Sequence, residues 1–119
     1  MRIRSILGAA AAAGLIMGLA LPAFAQGEKK QVDQGKQLFD AQKCSICHSV
    51  NGKGNPKGPL DDVGSKLSED QLRSWLTEPS QMATKMNATR KPAMPSYASK
   101  LSKDQVDALA DYLETLKKK

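Results

Sequence analysis

The chain has little of what metal-rich or heavily packed proteins use. Its 119 residues include one histidine, two cysteines and one tryptophan, with two tyrosines and two phenylalanines. A single histidine excludes any site that takes two imidazoles from one chain. No segment alternates apolar and polar side chains as a half-buried strand does, and no internal repeat is present, so neither a sheet nor a solenoid is expected. After residue 25 the aromatics are Phe39, Trp75, Tyr97 and Tyr112 alone. That is a thin core for a short chain, and small domains of this kind lean on a disulfide, a metal or a partner. A large apolar non-protein group would fill the deficit.

What is present begins with an export signature. Arg2 and Arg4 precede an apolar, alanine-rich run from Ile6 to Leu21, and Ala23-Phe24-Ala25 gives a small-x-small pattern before Gln26. A basic head, an apolar middle and an A-x-A end read as a secretory signal peptide over residues 1–25. The alternative is an uncleaved anchor, since about 20 apolar residues can span a bilayer. Cleavage leaves one domain of 94 residues, 26–119, and the loss of two arginines lowers the formal charge from +6 to +4. Outside the cytoplasm two nearby thiols tend to oxidise, so they need a disulfide, a metal or a covalent cofactor.

The domain reads as all-α with long loops. Residues 26–31 are polar and read as a loose end. Apolar residues at 32, 38, 39 and 41 predict a first helix from Val32 to Lys43, with Asp33 as N-cap. Asn51 to Gly64, rich in glycine and proline, reads as loop. Ser68 opens a second helix through a capping box with Gln71, and Leu67 and Leu72 form its hydrophobic staple. Leu72, Trp75 and Leu76 make its apolar face, and Pro79 follows its end. Residues 80–87 suit one further helical turn, and 88–100 an extended loop around Met94. Ser102 and Gln105 repeat the capping box, with Leu101 stapled to Val106. Val106, Leu109, Leu113 and Leu116 then line one face of a last helix, whose C-terminus Lys117 to Lys119 suit electrostatically.

Both cysteines and the histidine fall in "KCSICHSV", residues 43–50. Cys-x-x-Cys-His is the attachment sequence of c-type haem. Two thiols three apart on a helical turn face one side and can add to the two vinyl groups of one porphyrin, and the next residue, His48, lies under the ring. A thioredoxin-like pair would want a βαβ context, which is not visible. Zinc would want a fourth ligand from a carboxylate. A plain disulfide would leave His48 without a purpose. An iron used for electron transfer also needs a sixth ligand, and methionine is the usual one where no second histidine exists. Met94, flanked by Pro92 and Pro95, is the first candidate and Met86 the second. Met82 and Met86, four apart in a helical segment, read otherwise as packing.

With these residues in view the chain resembles the class I cytochromes c of the small bacterial periplasmic monohaem type. The resemblance runs over residues 31–117 and is carried by "GKQLFDAQKCSICH", "KGPLDDVG", "LRSWLTEP", "AMPSY" and "QVDALADYLETL" in that order. It implies three to four helices with long loops wrapped around one haem c bound through Cys44 and Cys47, the first and last helices crossing near Gly35, Phe39, Leu109 and Tyr112. It implies His48 and Met94 as iron ligands and the Pro59 carbonyl as partner of the far nitrogen of His48. It also makes the Trp75 indole a candidate partner of a haem propionate, with core packing as the alternative.

The function implied is one-electron transfer between redox proteins, by a monomeric carrier rather than an enzyme, in the periplasm and without stable membrane insertion after cleavage. Lys43, Lys53, Lys57, Arg90 and Lys91 cluster in sequence around the motif and around Met94, and would steer the protein to an acidic partner surface. Nucleic-acid binding is not expected of scattered charges on an exported protein. Two further readings stay open: a haem c subunit of a larger oxidase or dehydrogenase, and a peroxidase-like enzyme if the methionine ligand is absent.

Overall fold

A computed structural model describes residues 23–118, together with residues 13, 14 and 18. The expected signal peptide therefore lies almost wholly outside the described residues. Helix α1 spans Ala23–Ala41. This corrects two expectations: residues 26–31 are helical, and Asp33 lies exposed inside the helix instead of capping it. Glu28, Lys29, Lys30 and Gln31 are good helix formers, and their intrinsic preference carries the helix past the first apolar position. The other end is sharp. Lys43 adopts a left-handed conformation with φ 57° and turns the chain directly into a 3₁₀ turn at Cys44–Ile46.

Helix α1 crosses α5, Lys103–Glu114, which forms the centre of the molecule. The crossing is set by Gly35. A Cβ there would lie 2.6 Å from Cβ of Tyr112 and would overlap the Ala108 carbonyl, so only glycine lets the two backbones meet. One turn later Phe39 meets the Tyr112 ring edge-on, with centroids 5.7 Å apart and planes at 63°. Val106, Ala108, Leu109, Ala110, Tyr112 and Leu113 of α5 are all buried. The expected crossing near Leu109 and Tyr112 is thus the one observed.

Helix α3, Glu69–Thr77, packs its buried Leu72 and Leu76 on α5. Both capping boxes form as the sequence implies: Ser68 with Gln71 and Ser102 with Gln105, each with reciprocal bonds of 3.2 and 2.9 Å. Outside the core, Arg73 ties α3 to α5 through Asp107 at 2.7 Å, while Lys103 reaches the same carboxylate at 3.0 Å. Pro79 starts α4, Pro79–Lys85, at its first turn, where its missing N–H costs nothing.

Asn51 to Gly64 is more ordered than a loop. Strands β1, Ser49–Val50, and β2, Lys53–Gly54, form a two-residue-turn hairpin with Ser49 opposite Gly54. Asn51 and Gly52 both have positive φ, 51° and 77°, the mark of a type I′ turn, for which Asn-Gly is the preferred pair. The short helix α2, Val63–Lys66, then receives the C-terminal end of α5. The Gly64 N–H donates to the Leu116 carbonyl at 2.9 Å, and the Lys118 N–H to the Asp62 carboxylate at 3.0 Å. The stretch after α5 is thus tied to α2 by one main-chain bond and to the residue before it by the Asp62 side chain. No helix among the described residues is long and apolar enough to cross a membrane.

Candidate functional site

The 3₁₀ turn brings Cys44, Cys47 and His48 together. The N–H groups of Cys47 and His48 both donate to the Cys44 carbonyl, at 3.2 and 2.9 Å. Both thiols are free and half-buried. Burial pushes the Cys44 thiol up to about 11, so it stays protonated at neutral pH. A redox-active pair would need the opposite shift, since the thiolate is the nucleophile. Among the described residues, the acid, thiol or imidazole side chains whose donor atoms converge within 4.8 Å are Glu69, Asp111 and Glu114, not Cys44, Cys47 and His48. The motif does not form the cage that a structural zinc requires.

His48 is held from behind. Its Nδ1 lies 3.1 Å from the Gly58 carbonyl, which can only accept, so Nδ1 carries the proton and Nε2 keeps its lone pair. Burial lowers the proton affinity of the ring, and the nearby Arg90 cation lowers it further. A neutral imidazole with one nitrogen anchored and the other free is the form that binds a metal.

The partner is Gly58 and not Pro59, which corrects the expectation by one residue. Pro59 forms a parallel bridge with Ser49, in which the Ser49 N–H takes the Gly58 carbonyl at 3.0 Å and the Leu60 N–H takes the Ser49 carbonyl at 2.9 Å. In an extended segment successive carbonyls alternate direction, so bridging turns the Gly58 oxygen toward residues 48–49 and the Pro59 oxygen away.

The three methionines after residue 26 have different surroundings. Met82 is buried, as a packing residue should be. Met86, expected to pack with it, is 40% exposed at the end of α4. Met94 is half-buried against the core cluster on which Cys44 also packs. Trp75 is half-buried on α3 and lies outside that cluster.

Two residues near the site had not been singled out for it. Tyr97 is buried close to both thiols, and its phenol is pushed up by burial first and then by Cys44 and Cys47. Its place at the end of the "AMPSY" block was the only sequence signal. Arg90, read from sequence as surface charge, donates from Nη2 to the Cys47 carbonyl at 2.6 Å. Nothing in its sequence surroundings indicates that reach. Lys53 and Lys57 are exposed on either side of Asn55, whose N–H bonds the Ser45 and His48 carbonyls at 3.1 and 3.0 Å. Arg90 thus reaches the motif, and Lys53 and Lys57 belong to the segment bonded to it.

The donor set fits a covalently bound porphyrin: two free thiols on one turn and an imidazole oriented by a carbonyl. Leu38, Val50, Leu60, Val63, Leu67 and Met94 are, like Cys44, partly buried side chains packed on the core cluster.

Comparison with known proteins agrees. The family model for cytochrome c matches residues 32–117. A cytochrome c-553 of Helicobacter pylori is 35% identical over 74 residues, covering 62% of this chain and 71% of the relative. A cbb3-type cytochrome c oxidase subunit CcoP of Helicobacter pylori is 35% identical over 89 residues, covering 72% of this chain and 28% of that subunit. A cytochrome c oxidase subunit 2 of Alkalihalophilus pseudofirmus is 28% identical over 94 residues, covering 71% of this chain and 25% of the subunit. The chain thus spans under a third of the oxidase subunits it matches. No solved structure matches it significantly. A family match over most of the chain, centred on a turn with two free thiols and an anchored imidazole, means that the chain belongs to the cytochrome c family, whose haem c is attached here through Cys44 and Cys47.

Proposed function

We propose that this protein is a monohaem electron carrier of the periplasm, exported by residues 1–25, with His48 and Met94 as the residues that would hold its haem iron. Bound there, the haem supplies an iron that alternates between ferric and ferrous states. The observation that carries the reading is the anchored imidazole directly after two free thiols. Gly58 fixes the plane of the His48 ring and keeps Nε2 basic, which second-sphere bonds of this kind do for metal-bound histidines. Pro59 serves this indirectly, by holding the Gly58 carbonyl in place. Met94 is favoured over Met86 because it packs with Cys44 on the core, while Met86 faces solvent. The Trp75 indole N–H, which makes no hydrogen bond among the described residues, is free to meet a haem propionate. Lys43, Lys53, Lys57, Arg90 and Lys91 steer the protein to an acidic face on a redox partner, in the small, short-lived encounters that electron transfer uses.

A second reading is supported by the oxidase subunits among the relatives: the domain serves one oxidase as a bound subunit. Gel filtration of native extract separates the two, since a carrier runs alone and small. The primary test is the mass and visible spectrum of the exported, mature protein. The mass should equal residues 26–119 plus one haem, and the oxidised protein should show the red thioether-to-iron band. Met94→Ala should abolish that band and lower the reduction potential, and Met86→Ala should change neither. Loss of the band in Met86→Ala alone would reverse the ligand assignment. A wild type without the band would favour an open, peroxidase-like iron.

A further inference from the structure

The segment that carries Met94 is held by very few bonds. The Ala88 N–H donates to the Ala83 carbonyl at 2.9 Å, and the next main-chain bond is from the Tyr97 N–H to the Leu76 carbonyl at 2.8 Å. The Ser96 hydroxyl secures the same end by donating to the Thr77 carbonyl at 2.7 Å. Between these anchors, over residues 89–95, the structure has one hydrogen bond among the described residues: Arg90 Nη2 to the Cys47 carbonyl, at 2.6 Å. Met94 therefore hangs in a span whose middle is pinned by a single side chain.

That side chain reaches across the site. The Arg90 guanidinium lies over Gly58, where a Cβ would overlap Nη1 and come within 3.0 Å of Cζ. Gly58 is also the residue whose carbonyl accepts from His48. One planar cation thus touches the peptide of the second attachment cysteine and the backbone that orients the imidazole, while its own main chain leads to Met94 four residues later. A guanidinium is suited to this because it is flat, always charged and presents several donors in a fixed fork, which a lysine ammonium does not.

We infer that Arg90 is a positioning residue, a clasp that fastens the Met94 loop to the Cys44–His48 turn and so sets how firmly the thioether is held at the iron. This rests on the proposal that Met94 is the distal ligand. An intramolecular ligand competes with an external one according to the population of the closed loop, so a pin on the loop appears directly in that competition. A charge-assisted bond from an exposed side chain corresponds to about five- to tenfold in such an equilibrium.

The test is a titration of the oxidised, haem-loaded protein with imidazole, following loss of the red thioether-to-iron band. Arg90→Gln should bind imidazole about five- to tenfold more tightly than wild type, and Arg90→Lys should fall between. Lys85→Gln, which removes an exposed cation on α4, should match wild type. The reduction potential should fall in Arg90→Gln and hold in Arg90→Lys, because only the former removes the cation; a purely structural role would not divide the variants this way. Equal midpoints for wild type and Arg90→Gln, or equal shifts in Arg90→Gln and Lys85→Gln, would overturn the clasp. If Arg90→Gln does not mature, Arg90→Lys decides: a shift supports the clasp and none overturns it. A band present in wild type, lost in Met94→Ala and unmoved by Arg90 variants refutes the clasp alone. A band that survives Met94→Ala refutes the ligand assignment and the clasp with it.

Discussion

Replacing Gly35 by alanine tests the helix crossing on which the rest of the structure is built. The new Cβ would lie 2.6 Å from the Tyr112 Cβ and 2.8 Å from the Ala108 carbonyl carbon. Carbon atoms settle at about 3.5–4.0 Å, so α1 and α5 would have to part by about 1 Å. Neither obstacle is a flexible side-chain tip; one is main chain and the other a Cβ. Overpacking of this kind costs about 1–3 kcal/mol. Parting the helices also loosens the Phe39–Tyr112 pair, worth about 0.5–1.5 kcal/mol beyond its buried area. Alanine returns about 1 kcal/mol through its better helix propensity. The net loss is about 2 kcal/mol, or a fall of about 8–16 °C in Tm for a domain of this size. Thermal and urea unfolding of the haem-loaded protein, followed by far-ultraviolet circular dichroism, reads it directly. Gly27→Ala on the same helix is the control: a Cβ there meets nothing within 4 Å, so the change should be neutral or stabilise by up to about 1 kcal/mol. A Gly35→Ala protein as stable as wild type, or a Gly27→Ala protein equally damaged, would show that close approach at the crossing does not explain the glycine.

Ser68→Ala and Ser102→Ala each remove one half of a capping box and should each lower the urea-derived stability by about 1 kcal/mol. Near-additive losses in the double variant are expected, because the caps belong to different helices. Asp111 gives a pH dependence. Burial, a hydrogen bond to Glu69 and the charges of Glu69 and Glu114 raise its carboxyl from 3.8 to about 6, against the single opposing cation Arg73. The folded state holds that proton more tightly than the unfolded chain, so the stabilisation is complete below pH 3.8 and is lost as pH rises through about 6. Asp111→Asn should therefore match wild type below pH 3.8 and exceed it above pH 6, as urea midpoints at the two pH values will show. An equal gain at both would assign the effect to packing. Charge reversal at Lys53 and Lys57 together should slow association with an acidic redox partner and flatten its salt dependence; stopped-flow rates that ignore ionic strength in the wild type would remove the steering role.

What could be read before the structure was local chemistry with a fixed spacing. The two capping boxes are four-residue patterns whose partners sit one turn apart, so Ser68 and Ser102 announce α3 and α5 without knowledge of the fold. Cys44, Cys47 and His48 are legible for the same reason. Gly35 and Phe39 could be assigned to the crossing only through the family resemblance, since nothing local to α1 names Tyr112 as the neighbour. Asp33 misled because a cap residue before an apolar run resembles a helix start, while the true helix continues through the charged residues before it. Hairpin β1–β2 escaped because strands of two residues have no periodicity; its Asn51-Gly52 turn was the available sign. The Gly58 acceptor and the Arg90 clasp were illegible in principle, because each depends on how a loop from one part of the chain lies against a turn from another. The one-residue error at Pro59 has the same origin: only the bridge to Ser49 decides which carbonyl faces the imidazole.

The two sides of the site are mounted on different helices. Cys44, Cys47 and His48 follow from the end of α1 through the left-handed turn at Lys43. The Met94 segment is fixed at its far end by Leu76 and Thr77, at the C-terminal end of α3. Helices α1 and α3 have α5 as their common backing, α1 through Gly35 and Phe39, α3 through Leu72, Leu76 and Arg73. The separation between imidazole and thioether is therefore set by how α1 and α3 seat on α5, with Arg90 to the Cys47 carbonyl the one hydrogen bond across the gap among the described residues. A carrier gains from such a mounting, because an electron passes most readily where neither ligand has to move. With Met94 as the ligand proposed above, core variants at the α1–α5 crossing should loosen that ligand as well as the fold, whereas Arg90 variants should loosen the ligand and leave global unfolding unchanged.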